Sequence, residues 1–222
     1  MNKVLFISPH PDDETLGCGG TILKHKAAGD KVYWLIITSI SEENGYARKA
    51  VIRRKREIEM VTARYNFDNA FQLNLPTTKL DTIPRNKLIE LVSGVIHDVK
   101  PSTVYIPNRN DVHSDHTITF DVVMSSTKTF RCPFIKKILM YEIISETEFA
   151  PAYLNNAFSP NSFSDISNYL DKKISIMSIY KGEMKNHPFP RSEENLKALA
   201  TYRGATAGVN YAEAFMVLKE IW

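Results

Sequence analysis

Five short apolar segments recur along the chain: Lys3–Ser8, Lys31–Thr38, Ala70–Leu75, Thr103–Pro107 and Ile135–Tyr141. Each is closed by breakers, and most run as continuous apolar stretches. Strands buried on both faces read that way, as parallel strands do. Helical patterns separate them. Leu16, Ile22, Leu23 and Ala27 mark a first helix, ended by Gly29. Val51, Ile58, Val61 and Tyr65 mark a second, with Asn66 suited to a left-handed cap. Leu88, Leu91, Val92, Val95, Ile96 and Val99 form an apolar face that Pro101 stops. Strands alternating with helices predict an α/β fold, a Rossmann-like three-layer sandwich with a mostly parallel central sheet.

Two polar loops punctuate this pattern. Ser8-Pro9-His10-Pro11-Asp12-Asp13-Glu14 follows the first strand, and Asp111-Val112-His113-Ser114-Asp115-His116 follows the fourth. In open α/β sheets ligands bind beyond the carboxyl ends of the strands, where both loops fall. A catalytic zinc takes three ligands from His, Asp or Glu and keeps one position open. His10 and Asp13 are three apart, so one turn aims both at a point. A histidine from the second cluster would complete a two-His, one-carboxylate set. Pro11 stiffens the loop and restricts His10 to extended geometry. Asp12 is then free beside the metal to take a proton from water. Asp13 and Glu14 also suit the first turn of a helix, where the macrodipole favours carboxylates. That reading covers Glu14 but not two His/Asp clusters in matching contexts.

The chain has 222 residues, 43% hydrophobic and 24% charged, with a net charge of +3. These are ordinary globular values, and residues 1–222 are expected to form one domain. The small net charge gives no reason to expect nucleic acid or anionic lipid as a partner. Arg53-Arg54-Lys55-Arg56 is followed by Glu57 and Glu59, and reads as a solvated helix face rather than a phosphate-binding patch. Cys18 and Cys132 lack metal or redox spacing. No segment is long enough for a membrane span, and the first strand is too short for a signal core, so the protein is expected to be cytoplasmic. The oligomeric state is left open, a homo-oligomer included. Gly17-Cys18-Gly19-Gly20 fails the dinucleotide spacing, because Ile22 stands where the third glycine belongs. Close packing beneath the metal loop explains these glycines.

Pro9-His10-Pro11-Asp12-Asp13-Glu14 with Gly19-Gly20-Thr21, and His113-Ser114-Asp115-His116, resemble the two signatures of the PIG-L/LmbE-type metal-dependent N-deacetylases. Arg54-Lys55-Arg56-Glu57, Lys100-Pro101, Arg203-Gly204 and Tyr211-Ala212-Glu213-Ala214-Phe215 are similar to further family segments. The resemblance covers about residues 1–123 and 200–218. It departs at Thr38-Ser39-Ile40-Ser41, where the family has Thr-Asp-Gly, and at Leu75-Pro76-Thr77, which lacks Pro-Asp. Both loops border the expected substrate pocket, so the departures weaken any transfer of substrate identity.

The resemblance implies that His10, Asp13 and His116 bind zinc and that Asp12 is the general base. It implies that a protonated His113 stabilises the tetrahedral intermediate, with Asp115 orienting its ring. The implied reaction removes acetyl from an N-acetylglucosamine-type sugar, so the expected partner is an N-acetylated amino sugar. The same ligands accept iron(II) or cobalt(II). Arg54 and His187 are candidates for substrate contact, and Tyr141-Glu142 ends a strand where it would also face the site. His25 and His97 lie in helical patterns and read as structural. A two-His, one-carboxylate set also serves iron oxygenases, against which the α/β pattern argues. A non-catalytic sugar- or metal-binding module would not need Asp12 beside Asp13.

Overall fold

The structure is a computed structural model that describes residues 1–151, 153 and 156–222. Among these residues, seven strands form one sheet in the order β3-β2-β1-β4-β5-β7-β6. They are β1 (Lys3–Ser8), β2 (Lys31–Ser39), β3 (Asn69–Pro76), β4 (Thr103–Pro107), β5 (Lys137–Tyr141), β6 (Ser162–Asp165) and β7 (Ala212–Glu220). The first five are parallel. β7 runs antiparallel to β5, and β6 antiparallel to β7. The expected α/β sandwich is therefore present, with an antiparallel edge added by the last two strands. The fifth expected strand begins two residues late, because Ile135 closes a turn onto Cys132 instead.

Among the described residues the α-helices are α1 (Asp13–Ala27), α2 (Arg48–Tyr65), α3 (Arg85–Val99), α4 (Ser114–Ser126), α5 (Leu170–Met177) and α6 (Glu193–Ala207). Successive residues of β1 point to opposite faces, and the core divides accordingly. Val4 and Phe6 pack with Leu16 and Ile22 of α1, Ile58 and Val61 of α2, Ile176 of α5 and Leu196 of α6. Leu5 and Ile7 pack on the other side with Leu88, Val92 and Ile96 of α3 and Val122 of α4. Asn66 ends α2 in the left-handed conformation, at φ 55. Close packing accounts for the glycines of α1: a Cβ on Gly17 would lie 2.3 Å from Tyr141, and one on Gly20 2.5 Å from Ile166. Cys18 and Cys132 are buried and free. Among the described residues, no helix is long and apolar enough to cross a membrane.

The chain winds outward from β1 to β2 and β3, then returns to place β4 on the other side of β1. The order reverses between β1 and β4. Loops leaving the carboxyl ends of these neighbours diverge and leave a crevice. Residues 9–12 and 108–113 are those loops.

Candidate metal centre and active site

His10 Nδ1, His116 Nε2 and Asp13 Oδ2 converge in this crevice. The edges of the triangle are 3.2 Å between the two imidazoles, 3.3 Å from His10 to Asp13 and 3.4 Å from His116 to Asp13. Bonds of about 2.0–2.1 Å from tetrahedral zinc to N or O set its ligands about 3.3 Å apart. The three atoms thus fit one such ion. His10, His113 and His116 also bring ring nitrogens within 4.8 Å of one another. That set is looser, and His113 Nδ1 is already occupied by the Asp115 N–H at 3.1 Å.

A carboxylate stands behind each imidazole of the triangle. Asp115 Oδ2 lies 3.1 Å from His10 Nε2, and Asp111 Oδ2 lies 2.8 Å from His116 Nδ1. A ring that donates one N–H to a carboxylate presents its other nitrogen as a lone pair, the tautomer a metal needs. Asp111 is fixed in turn by Asn108 Nδ2 at 2.8 Å and the Thr147 hydroxyl at 2.6 Å. Asp115 accepts from the Thr78 N–H at 2.7 Å. The expected support of the His113 ring by the Asp115 carboxylate is absent. As the first turn of α4 forms, the backbone N–H of Asp115 turns toward His113, and its carboxylate turns toward His10. Asp111 belongs to the second polar loop, and the sequence alone assigns it no role.

The charges around the triangle favour a cation. Burial alone would lower His10, but hydrogen bonds to Asp115 and Asp13 lift it to about 9. Burial likewise opposes the charge of His116, yet Asp13 and Asp111 lift it to about 10. Burial raises Asp13, but the charge of His116 and the hydrogen bond from His10 hold it well below the ordinary carboxylate range.

His113 differs from its neighbours. Burial, then His10 and His116, push it down to about 4. With Nδ1 accepting from Asp115, its proton is carried on Nε2. His113 is therefore a neutral donor near pH 7, rather than the expected imidazolium.

Asp12 adopts φ 132 at the start of α1, a conformation that costs a non-glycine residue about 1–3 kcal/mol. Glu14 holds it there: its Oε2 accepts the Asp12 N–H at 3.0 Å, while the Tyr180 hydroxyl donates to Oε1 at 2.7 Å. Burial and the charge of Asp13 raise Asp12 to about 8, against the pull of Arg191 and Arg54. Arg191 Nη1 reaches Asp12 Oδ2 at 2.9 Å, Glu183 Oε2 at 3.0 Å, and its Nε donates to the Ser145 hydroxyl at 2.7 Å. Arg54 donates to the Pro11 carbonyl at 2.9 Å and pairs closely with Glu183. Arg191 and Glu183 lie in a stretch without periodicity or motif, where the sequence points to His187 instead. That residue is exposed, and it is not among those lining the cavity over the histidines.

This cavity holds about 350 Å³ and is bordered by His10, Asp12, Arg54, His113, Glu183 and Arg191, with Thr38, Ser39, Ile40 and Thr77. The two loops that depart from the family pattern thus do border it. Tyr141 and Glu142 face away. The Tyr141 hydroxyl caps the Ile7 carbonyl at 2.7 Å, and Glu142 makes a two-point pair with Arg203. His25 is structural, bridging Asp30 at 2.8 Å and the Tyr105 hydroxyl at 3.0 Å.

The chain is 25% identical over 231 residues to a diacetylchitobiose deacetylase of Thermococcus kodakarensis, covering 100% of this chain and 85% of that protein. Its fold matches N,N'-diacetylchitobiose deacetylase from Pyrococcus horikoshii with a TM-score of 0.78 at 21% identity, over 98% and 84% of the two chains. It also matches the zinc-inhibited form of teicoplanin deacetylase, with a TM-score of 0.75 at 17% identity over 97% of each chain. Residues 5–127, which contain the crevice between β1 and β4, match the family described as PIG-L, GlcNAc-PI de-N-acetylase. The chain belongs to the PIG-L family.

Proposed function

We propose that this protein is a metal-dependent hydrolase that removes the N-acetyl group from an N-acetylglucosamine-type sugar or glycoconjugate. The observation that carries this reading is the His10–Asp13–His116 triangle with Asp12 beside it, open to a cavity. A module that only binds sugar or metal has no use for a second buried carboxylate held in a strained backbone. His10, Asp13 and His116 would hold the ion, and zinc suits their donor set, with iron(II) or cobalt(II) as alternatives. When bound, the cation supplies Lewis acidity toward water and the amide carbonyl.

The remaining steps belong to side chains. Asp12 takes the proton of the attacking water and passes it to the leaving amine nitrogen. Arg191 holds Asp12 Oδ2, which orients the carboxylate and leaves Oδ1 free of that contact. His113 Nε2–H donates to the carbonyl oxygen as negative charge develops there. A preorganised donor of this kind is worth about 2.7–4 kcal/mol in the transition state. Asp111 and Asp115 keep the two ligand rings in their tautomers. Arg54 borders the sugar pocket and, through Glu183, ties that wall to Arg191.

The test is release of acetate from N-acetylglucosamine, diacetylchitobiose and larger acetamido glycosides by metal-loaded protein. Activity should vanish on chelation and return with a divalent ion. Absence of release across these classes by fully metal-loaded protein would overturn the reading.

A further inference from the structure

A second concavity adjoins the first. It holds about 920 Å³ between α2 and the end of α5, and its rim carries Arg48, Lys49, Arg53, Arg56, Arg64 and Lys181. Among its described lining residues Glu57 is the one carboxylate. Glu57 is buried and engaged by Arg54 and by the Lys181 N–H at 2.9 Å. Arg53 lies 3.6 Å from Glu57, and Arg48 4.0 Å from Glu42. Six cations around one hollow repel each other. Low-dielectric walls focus their potential into it. The apolar side of the hollow is equally exposed, with Ile52 at 43% and Met60 at 48%. A solvated helix face accounts for Lys55 and Glu59, which lie outside the hollow, but not for this convergence.

Arg53 lines both this groove and the cavity over the histidines, and Lys181 and Glu183 stand two residues apart along their shared border. From Arg53 to Arg64 the groove follows α2 for about 16 Å. We propose that this groove binds the acceptor part of the amino-sugar substrate, and that this acceptor is a polyanion bearing two or more phosphate or carboxylate groups. The proposal rests on the deacetylase reading for the sugar end only. The acetamido sugar sits over the histidines, and the anionic portion extends past Arg53 along α2. The groove runs on from the cavity over the histidines through Arg53, so it fits an extended anion joined to the bound sugar better than a bilayer.

Uridine diphosphate serves as the probe, measured by calorimetry on the full, metal-loaded chain. Binding should weaken between about 50 and 300 mM salt, because exposed charges are screened. The variant Arg56→Glu/Arg64→Glu/Lys181→Glu touches no residue of the histidine cavity and should bind at least about tenfold more weakly. In acetate release it should raise KM for a nucleoside-diphosphate N-acetylglucosamine by a similar factor. With diacetylchitobiose it should stay within about twofold. Equal uridine diphosphate binding by both proteins, or none by either, overturns the proposal. Charge-dependent binding to phosphatidylglycerol vesicles without binding of uridine diphosphate also overturns it, and assigns the groove to a membrane surface. If neither sugar releases acetate while the charge-dependent binding persists, the groove stands and the deacetylase reading falls.

Discussion

Asp12 and Arg191 are 179 residues apart in the chain, and their side chains meet at 2.9 Å. Arg191 joins three loops at that point, since Ser145 and Glu183 share the same guanidinium. Removing it frees the proposed base and takes away a charge that lowers the Asp12 pKa. Arg191→Ala should lower kcat by about 10–100-fold with metal content unchanged. The acidic limb of the pH–rate profile should move to higher pH, because Asp12 loses a stabilising cation. Arg191→Lys should restore part of both effects. A profile that stays in place in Arg191→Ala would show that the guanidinium does not act through Asp12.

Loss of the triangle should remove the metal, whereas loss of its supports should only loosen it. His10→Ala and His116→Ala should purify without stoichiometric metal. Asp111→Asn and Asp115→Asn keep all three ligand atoms but weaken the tautomer control, for which about 10–100-fold in metal affinity is expected. Competition against a chelator of known affinity gives the comparison. If Asp115→Asn keeps full affinity but loses turnover, Asp115 serves catalysis rather than the His10 ring.

Asp12→Asn should retain the metal and lose about 10²–10⁴-fold in turnover, as expected for a general acid–base group. His113→Ala should lower kcat with little change in KM, because its donor acts on charge present only in the transition state. His113 titrates near 4 through burial and its histidine neighbours. It is therefore neutral across the working range and sets no basic limb there. A basic limb that disappears specifically in His113→Ala would contradict the neutral-donor role.

Much of the candidate site is legible in the sequence, for a definable reason. His10, Asp12, Asp13, His113 and His116 lie in two short loops after apolar strands, so sequence proximity delivers most of the geometry. Strand ends were readable because β1 and β4 carry continuous apolar runs, Val4–Ile7 and Val104–Pro107. What the sequence hid depends on distant pairing. Arg191 and Glu183 reach the site from a stretch without periodicity. The destination of the Asp115 carboxylate follows from how α4 starts, one rotamer choice that spacing cannot reveal. β7 was hidden too, because only four of its nine residues are fully buried and its outer half alternates weakly.

His25 should make stability depend on pH. Burial lowers its pKa, against the opposing effect of Asp30. Its neutral ring donates to Asp30 through Nδ1 and accepts from Tyr105 through Nε2, so protonation removes the acceptor. The folded pKa lies below the unfolded value of about 6.5. The stabilisation is therefore complete above that pH and is lost as pH falls through it toward the folded pKa. Urea denaturation at pH 7.5 and 5.5 should show a smaller difference for His25→Gln than for the parent. Equal differences in the two proteins would exclude His25 as a contributor.

Lys173 and Glu213 form a buried pair at 2.7 Å that is threaded into the middle of α1. Glu213 accepts the N–H groups of Gly20 and Thr21 at 2.9 and 2.8 Å, and Lys173 donates to the Leu16 carbonyl at 2.8 Å. The pair thus supplies partners to helix groups as well as to each other. Removing one partner leaves an uncompensated buried charge, which costs about 3–5 kcal/mol. Glu213→Gln and Lys173→Met should each lose stability on that scale. The double variant should lose clearly less than the sum, since no charge is then stranded. Additive losses would mean that each residue acts only through its contacts with α1, and that the ion pair itself contributes nothing.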